Sequence, residues 1–183
     1  MTIEKTAIKD LVIITPRVFE DARGYFFEAY SQAKFYENGI NVQFIQDNQS
    51  FSKRGVIRGL YLQINPFAQA KLIRVLEGKI LDVAVDLRKN SATYGQHFSV
   101  VLSAENKKQL LVPHGFAHGF SVLSESASVL YKVDQVYHKK SERGIRYDDP
   151  TLAIDWQLRL DEIVVSEKDV VLPNFDKIDW TFK

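Results

Sequence analysis

The sequence contains no cysteine, which removes disulfides, thiolate nucleophiles and cysteine-based zinc or iron–sulfur sites from consideration. It also lacks a dominant charge. Lysine and arginine number 24 against 23 aspartates and glutamates, a formal net charge of +1. A generic nucleic-acid binder would carry a basic surplus, so that class is disfavoured. No apolar run approaches the ~18 residues of a membrane helix. The opening residues, MTIEKTAIKD, hold no apolar signal region. The nine glycines and five prolines are scattered singly, with no low-complexity tract, long linker or clear internal repeat. Of the four histidines, His97, His114, His118 and His138, no two form the His-x-His pair that opens a jelly-roll metal site. His114 and His118 are four apart, but Gly115 and Gly119 beside them oppose the helix that would align them. No metal is therefore expected. Gly-x-Ser-x-Gly, a Walker loop and Gly-x-Gly-x-x-Gly are all missing.

What is present is 183 residues, 45% of them apolar and 12% aromatic. That is enough for a core and too apolar for disorder. A single domain over residues 1–183, in the cytoplasm, is the expectation. The dominant pattern is short strands. Leu11 to Thr15 is a β-branched run ending at Pro16, and Gly24 to Tyr30 is aromatic. Lys71 to Leu76 precedes a turn at Gly78. Leu81 to Arg88 alternates strictly, with Leu81, Val83, Val85 and Leu87 on one face and Asp82, Ala84, Asp86 and Arg88 on the other. That period of two predicts a strand with one buried face. Gln96–Ser103, Gln109–Pro113, Gly119–Leu123 and Ala127–Val136 continue the series at spacings near ten. Helices are expected at Ser31 to Gly39, with a serine start and a glycine stop, and at Ser166 to Asp169, with acid in the first turn. Asp148-Asp149-Pro150 reads as a turn. The fold class is mainly β, with a jelly roll leading.

Several polar residues occupy strand positions inside apolar surroundings: Gln46 to Ser50, Arg58 to Gln63, Lys71 with Arg74, His114 to His118, and Tyr131-Lys132 with Asp134. On a regular strand Arg58, Leu60 and Leu62 share one face, and Gly59, Tyr61 and Gln63 the other. Taken singly, Arg23, Arg58 and Arg74 read as surface or cross-strand ion-pair residues. His118 alone reads as a hydrogen-bonded histidine under a turn, and Tyr131 as a packed aromatic. Taken as a cluster, polar groups projecting into a barrel form a buried network or a ligand pocket.

Together, FEDARGYFFEAY, QDNQSFSKRGVIRGLYLQ, AKLIRVLEGKILDVAVDLRKNSATYG, LSAENKKQLLVPHGFAHGFSVLSE, VLYKVDQVYHKKSERGIRYDDP and SEKD resemble the dTDP-4-dehydrorhamnose 3,5-epimerase family, in order from about residue 10 to about residue 175. The resemblance implies a metal-free, cofactor-free jelly roll of cupin type. It implies a homodimer with an N-terminal arm (1–30) at the partner's nucleotide site, and a C-terminal extension (145–183) packed on the domain. The implied substrate is a dTDP-linked 4-keto-6-deoxyhexose, epimerised at C3 and C5 on the way to dTDP-L-rhamnose. The C4 ketone acidifies those protons. A base removes one, a cation or donor stabilises the enolate, and an acid returns a proton from the opposite face. By resemblance Tyr131 is the proton donor and Lys71 sits by the enolate. Arg23 and Arg58 hold the pyrophosphate. Glu28, Gln46, Asp47, Asn48, His118, Glu142 and Lys168 fall at ligand positions. Tyr137 matches a tyrosine that stacks on thymine, and Asp169 a carboxylate that orients the catalytic histidine.

That histidine is absent. The family motif Arg-Gly-Leu-His reads Arg58-Gly59-Leu60-Tyr61 here, so Tyr61 holds the position of the base. A free tyrosine titrates near 10, and about one part in a thousand is phenolate at pH 7, a deficit of about 4 kcal/mol. Lys71 or Arg58 would lower that value and Asp169 would raise it. Three readings stay open: an epimerase in which Tyr61, Asp169 or water is the base, acting at one carbon or both; a nucleotide-sugar-binding homologue that no longer turns over; and an enzyme for a different 4-keto sugar.

Overall fold

A computed structural model describes residues 1–180 and Phe182. β-Branched and aromatic runs, cut by Gly, Asn and Pro, form short strands. They are β1 (Thr2–Lys5), β2 (Val12–Thr15), β3 (Val18–Asp21), β4 (Gly24–Phe27), β5 (Gln46–Lys53), β6 (Ile57–Gln63) and β7 (Lys71–Glu77). Then follow β8 (Lys79–Asp86), β9 (His97–Ser103), β10 (Gln109–Val112), β11 (Phe116–Val122), β12 (Ser126–Val133) and β13 (Glu142–Gly144). Two short helices, α1 (Gln32–Glu37) and α2 (Glu167–Val170), start where the sequence places them. Ser31 caps the first by accepting from the Lys34 amide, and Ser166 caps the second by accepting from the Asp169 amide at 3.3 Å.

The strands form two antiparallel sheets, one of six strands in the order β1-β2-β10-β7-β12-β5 and one of five in the order β13-β6-β11-β8-β9. They face each other as a cupin-like jelly roll, with the β3–β4 hairpin apart. Ile73, Val75 and Val129 from one sheet meet Ile80, Phe116 and Phe120 from the other in the central core. The outer face of the six-stranded sheet is covered at Leu72 and Leu111 by Phe35 of α1. The outer face of the five-stranded sheet is covered by the C-terminal residues Ile145, Leu152, Trp156 and Trp180.

That last layer corrects the reading of Leu81 to Arg88. Both faces of β8 are buried. Its apolar face, Leu81, Val83 and Val85, looks outward onto the C-terminal segment. Its mixed face looks into the barrel, where Ala84 joins the core and Asp82 is fully buried. The alternation reports two different environments, and water is neither of them.

The regular-strand reading of Arg58 to Gln63 also fails. His118 pairs with Tyr61, and Phe120 pairs with Arg58. Three steps on β6 therefore oppose two on β11, a β-bulge that re-aims the side chains. Arg58 and Tyr61 both turn inward, while Leu60 and Leu62 pack outward. Gly59 makes this possible, with φ +127° and space for no Cβ, since one would stand 2.5 Å from the Gly119 Cα and 2.7 Å from the His118 oxygen. Gly59→Ala is expected to lower stability by about 2 kcal/mol or more, seen as a depressed melting temperature. An unchanged melting point would mean that the bulge relaxes freely.

Candidate active site

The re-aimed side chains open onto a cavity of about 220 Å³ at one end of the barrel. Arg58 and Tyr61 reach it from β6, and His118 and Phe120 from β11. Lys71 comes from β7, Tyr131 and Val133 from β12, Asn48 from β5, and Gln69 from the approach to β7. One wall is thus the five-stranded sheet and the other the six-stranded sheet.

On the six-stranded wall, the Tyr131 hydroxyl is 3.0 Å from Ser50 Oγ. Burial pushes this phenol up to about 12, with the Asp82 charge adding to the rise. The Ser50 hydrogen bond and the Arg58 charge oppose it. Tyr131 is therefore a protonated donor at neutral pH. Lys71 Nζ lies 3.5 Å from the Tyr61 carbonyl oxygen. Burial draws its ammonium down to about 8, against the pull of Asp82 and Glu142. Arg58 stands exposed at the mouth, held by Nε donating to Ser52 Oγ at 2.9 Å.

On the opposite wall, the Tyr61 hydroxyl donates to Asp169 Oδ1. Burial raises the Asp169 carboxyl, while the Ser166 amide and the Arg58 charge hold it back. Lys168 Nζ sits over the Tyr61 ring, 4.8 Å from its centroid, and pairs with Glu142 at 2.8 Å. Glu142 also accepts from the Tyr137 hydroxyl at 3.0 Å. Deeper, His118 Nε2 is 2.7 Å from Asp82 Oδ1, and both side chains are almost wholly buried.

Tyr61, Lys71, Tyr131, Arg58, His118 and Asn48 thus share one cavity, and Asp169, Lys168, Glu142 and Tyr137 form a chain of contacts leading from Tyr61. Gln46 and Asp47 are beside Asn48 on β5, where Gln46 donates to Asn48 at 2.8 Å and Asp47 accepts from Lys132 at 2.9 Å. Arg23 and Glu28 are not brought to this cavity in their own chain. Arg23 pairs with Asp21 inside the β3–β4 hairpin, and Glu28 with Lys34 at 2.8 Å. Sequence reasoning missed Asp82, whose only signal was an acid on the mixed face of β8. It named Ser50, which contacts Tyr131, only within a polar run, and missed Ser52, which holds Arg58. Among the described residues no three His, Asp or Glu side chains gather as a metal cluster, and no helix is long and apolar enough to cross a membrane.

Comparison with known proteins decides the family. The family model for dTDP-4-dehydrorhamnose 3,5-epimerase matches residues 5–177. The chain belongs to the dTDP-4-dehydrorhamnose 3,5-epimerase family. The Pseudomonas aeruginosa enzyme of that name is 52% identical over 170 residues, covering 92% of this chain and 93% of its own. The crystal structure of the Elizabethkingia anophelis epimerase superposes with a TM-score of 0.95 at 51% identity, covering 98% of this chain and 99% of that one. The Legionella pneumophila epimerase, solved in complex with dTDP-4-keto-L-rhamnose, gives 0.93 at 46% identity and covers 97% of this chain and 94% of its own.

Proposed function

We propose that this protein epimerises a dTDP-linked 4-keto-6-deoxyhexose at C3 and C5 through an enolate, a step of dTDP-L-rhamnose formation. The observation that carries the reading is the protonated Tyr131 and the cationic Lys71 facing Tyr61 and His118 across one small cavity. Family membership and the ligand of the Legionella relative support the choice of sugar. Tyr131 returns the proton, and Lys71 meets the developing oxyanion. Tyr61 and Asp169, joined by their hydrogen bond, border the opposite wall. Arg58, with Lys168 at the rim, offers charge to the pyrophosphate. Asn48, Gln46 and Asp47 offer hydrogen bonds to the nucleotide sugar, His118 borders the sugar, and Tyr137 and Glu142 flank the thymine.

The unit of function in this reading is a cytoplasmic homodimer formed by one domain over 1–183. Phe19, Tyr25 and Phe26 of the β3–β4 hairpin are 52%, 59% and 71% exposed, more aromatic surface than one free hairpin is expected to leave in water. Docked on a second copy, the hairpin would carry Arg23 and Glu28 to the partner's cavity. A monomer by light scattering at micromolar concentration would remove this assignment.

The function is tested by incubating the protein with dTDP-4-keto-6-deoxyglucose in heavy water. Proton NMR should lose the signals of both C3 and C5. Loss at one carbon would make the protein a single-carbon epimerase, and loss at neither would sink the reading. Separately, dTDP at a hundred times its dissociation constant is expected to stabilise the fold by about 2.7 kcal/mol, read as a higher melting temperature.

A further inference from the structure

Two hydrogen-bonded pairs on the five-stranded wall compete for the proton that leaves the sugar. In the first, the Tyr61 phenol already donates to the Asp169 carboxylate. To act as base it must first become phenolate, setting a second negative charge against Asp169. The Arg58 charge and Lys168 over the ring, itself paired with Glu142, oppose that repulsion. In the second pair, His118 Nε2 contacts Asp82 Oδ1 at 2.7 Å. With Nε2–H donating to that carboxylate, Nδ1 keeps its lone pair, and it has no protein partner among the described residues. The other Asp82 oxygen, Oδ2, is sealed from solvent and also has no partner. The carboxylate therefore keeps an oxygen that no hydrogen bond engages in the resting structure. A proton arriving on the imidazole creates an ion pair with Asp82 in surroundings from which water is excluded, where opposite charges attract most strongly. The first pair meets repulsion before it can take a proton, and the second meets the arriving proton with attraction.

We infer that His118, oriented by Asp82, is the general base of this chain, an inference that rests on the epimerase reading above. His118 stands on β11 and Tyr131 on the facing sheet, ring centroids 6.4 Å apart, so base and acid border the same space from opposite walls. The C–H bond at C3 or C5 breaks, its proton passes to Nδ1, and its electron pair moves into the C4 enolate beside Lys71. The enolate then takes the Tyr131 proton on its other face as the C4 ketone re-forms. The imidazolium returns its proton through water to the Tyr131 phenolate, so the cycle closes with no net change in atoms or electrons. Tyr61 becomes a pocket-shaping hydroxyl that ties β6 to Asp169.

The test compares His118→Gln, Asp82→Asn and Tyr61→Phe in the heavy-water exchange assay with dTDP-4-keto-6-deoxyglucose, each checked for dTDP-induced thermal stabilisation. His118→Gln is expected to lose at least about 100-fold in exchange at both carbons with stabilisation by dTDP retained. Asp82→Asn keeps the side-chain volume and decides the matter where the histidine variant fails to fold. It should lower kcat at least about tenfold with KM changed less than about threefold, the pattern of a positioning residue. Tyr61→Phe should lose less than about tenfold. Wild-type protein that exchanges neither carbon overturns the epimerase reading and this inference with it. Wild-type exchange with His118→Gln within about threefold, or Tyr61→Phe falling as far as His118→Gln, overturns the inference alone.

Discussion

Tyr131→Phe is expected to cut product formation by about 10²- to 10⁴-fold, the range for loss of a positioned acid. The phenol stays protonated because burial pushes it up to about 12, and Ser50 fixes its hydroxyl at 3.0 Å. Phenylalanine keeps the ring against the core and removes only the donor. The opposite wall is untouched, so proton removal continues and the enolate is reprotonated on the face it left. Deuterium should therefore still enter the substrate while the epimer fails to accumulate. A lost Ser50 contact would cost about 1 kcal/mol, too little to unfold the protein. Product NMR separates the outcomes, and epimer forming at the wild-type rate would remove Tyr131 from the reaction.

Lys71→Met should have an effect of similar size on rate and the opposite effect on stability. In the proposed reaction the ammonium on β7 meets the developing oxyanion, and removal of such a group costs about 10²- to 10³-fold in kcat. Burial holds Lys71 at about 8 when folded, against an ordinary 10.5. The folded value lies below the unfolded one, so the charge weakens the fold at every pH below about 8. That penalty fades as pH rises from about 8 to 10.5. Its ceiling is roughly 3 kcal/mol, and water at a half-buried side chain reduces it. Lys71→Met should therefore melt at a higher temperature than wild type at pH 7, with a gain that shrinks above pH 8. In the wild type, kcat/KM should fall as pH rises through about 8 and the cation is lost. Calorimetry and a pH–rate profile test both, and a variant melting lower at pH 7 would contradict the account. The site sacrifices stability for a charge held where the reaction needs it.

Local chemistry was readable wherever neighbours in sequence satisfy each other. Ser31 and Ser166 announce α1 and α2 because a hydroxyl three residues before an amide caps it without help from the rest of the fold. The motifs around Lys71, Tyr131 and Asp169 name their family because each residue type is tied to a chemical task. Gly59 was visible as a residue but not as a bulge, since a glycine does not say whether its strand gains a residue relative to its partner. That single residue turns Arg58 away from the face of Leu60 and Leu62 and into the cavity.

The sequence by itself determined that the chain is mainly β and that it works without thiols. Only the tertiary structure decided which face of β8 is inside. Alternation shows that two faces differ, but the covering layer, here Trp156 and Trp180 from the far end of the chain, determines which is which. With the apolar face turned outward, Asp82 turns inward to meet His118, 36 residues away along the chain. Such a pair has no sequence signature, because its closeness comes from the pairing of β8 with β11 and not from any local preference of either residue.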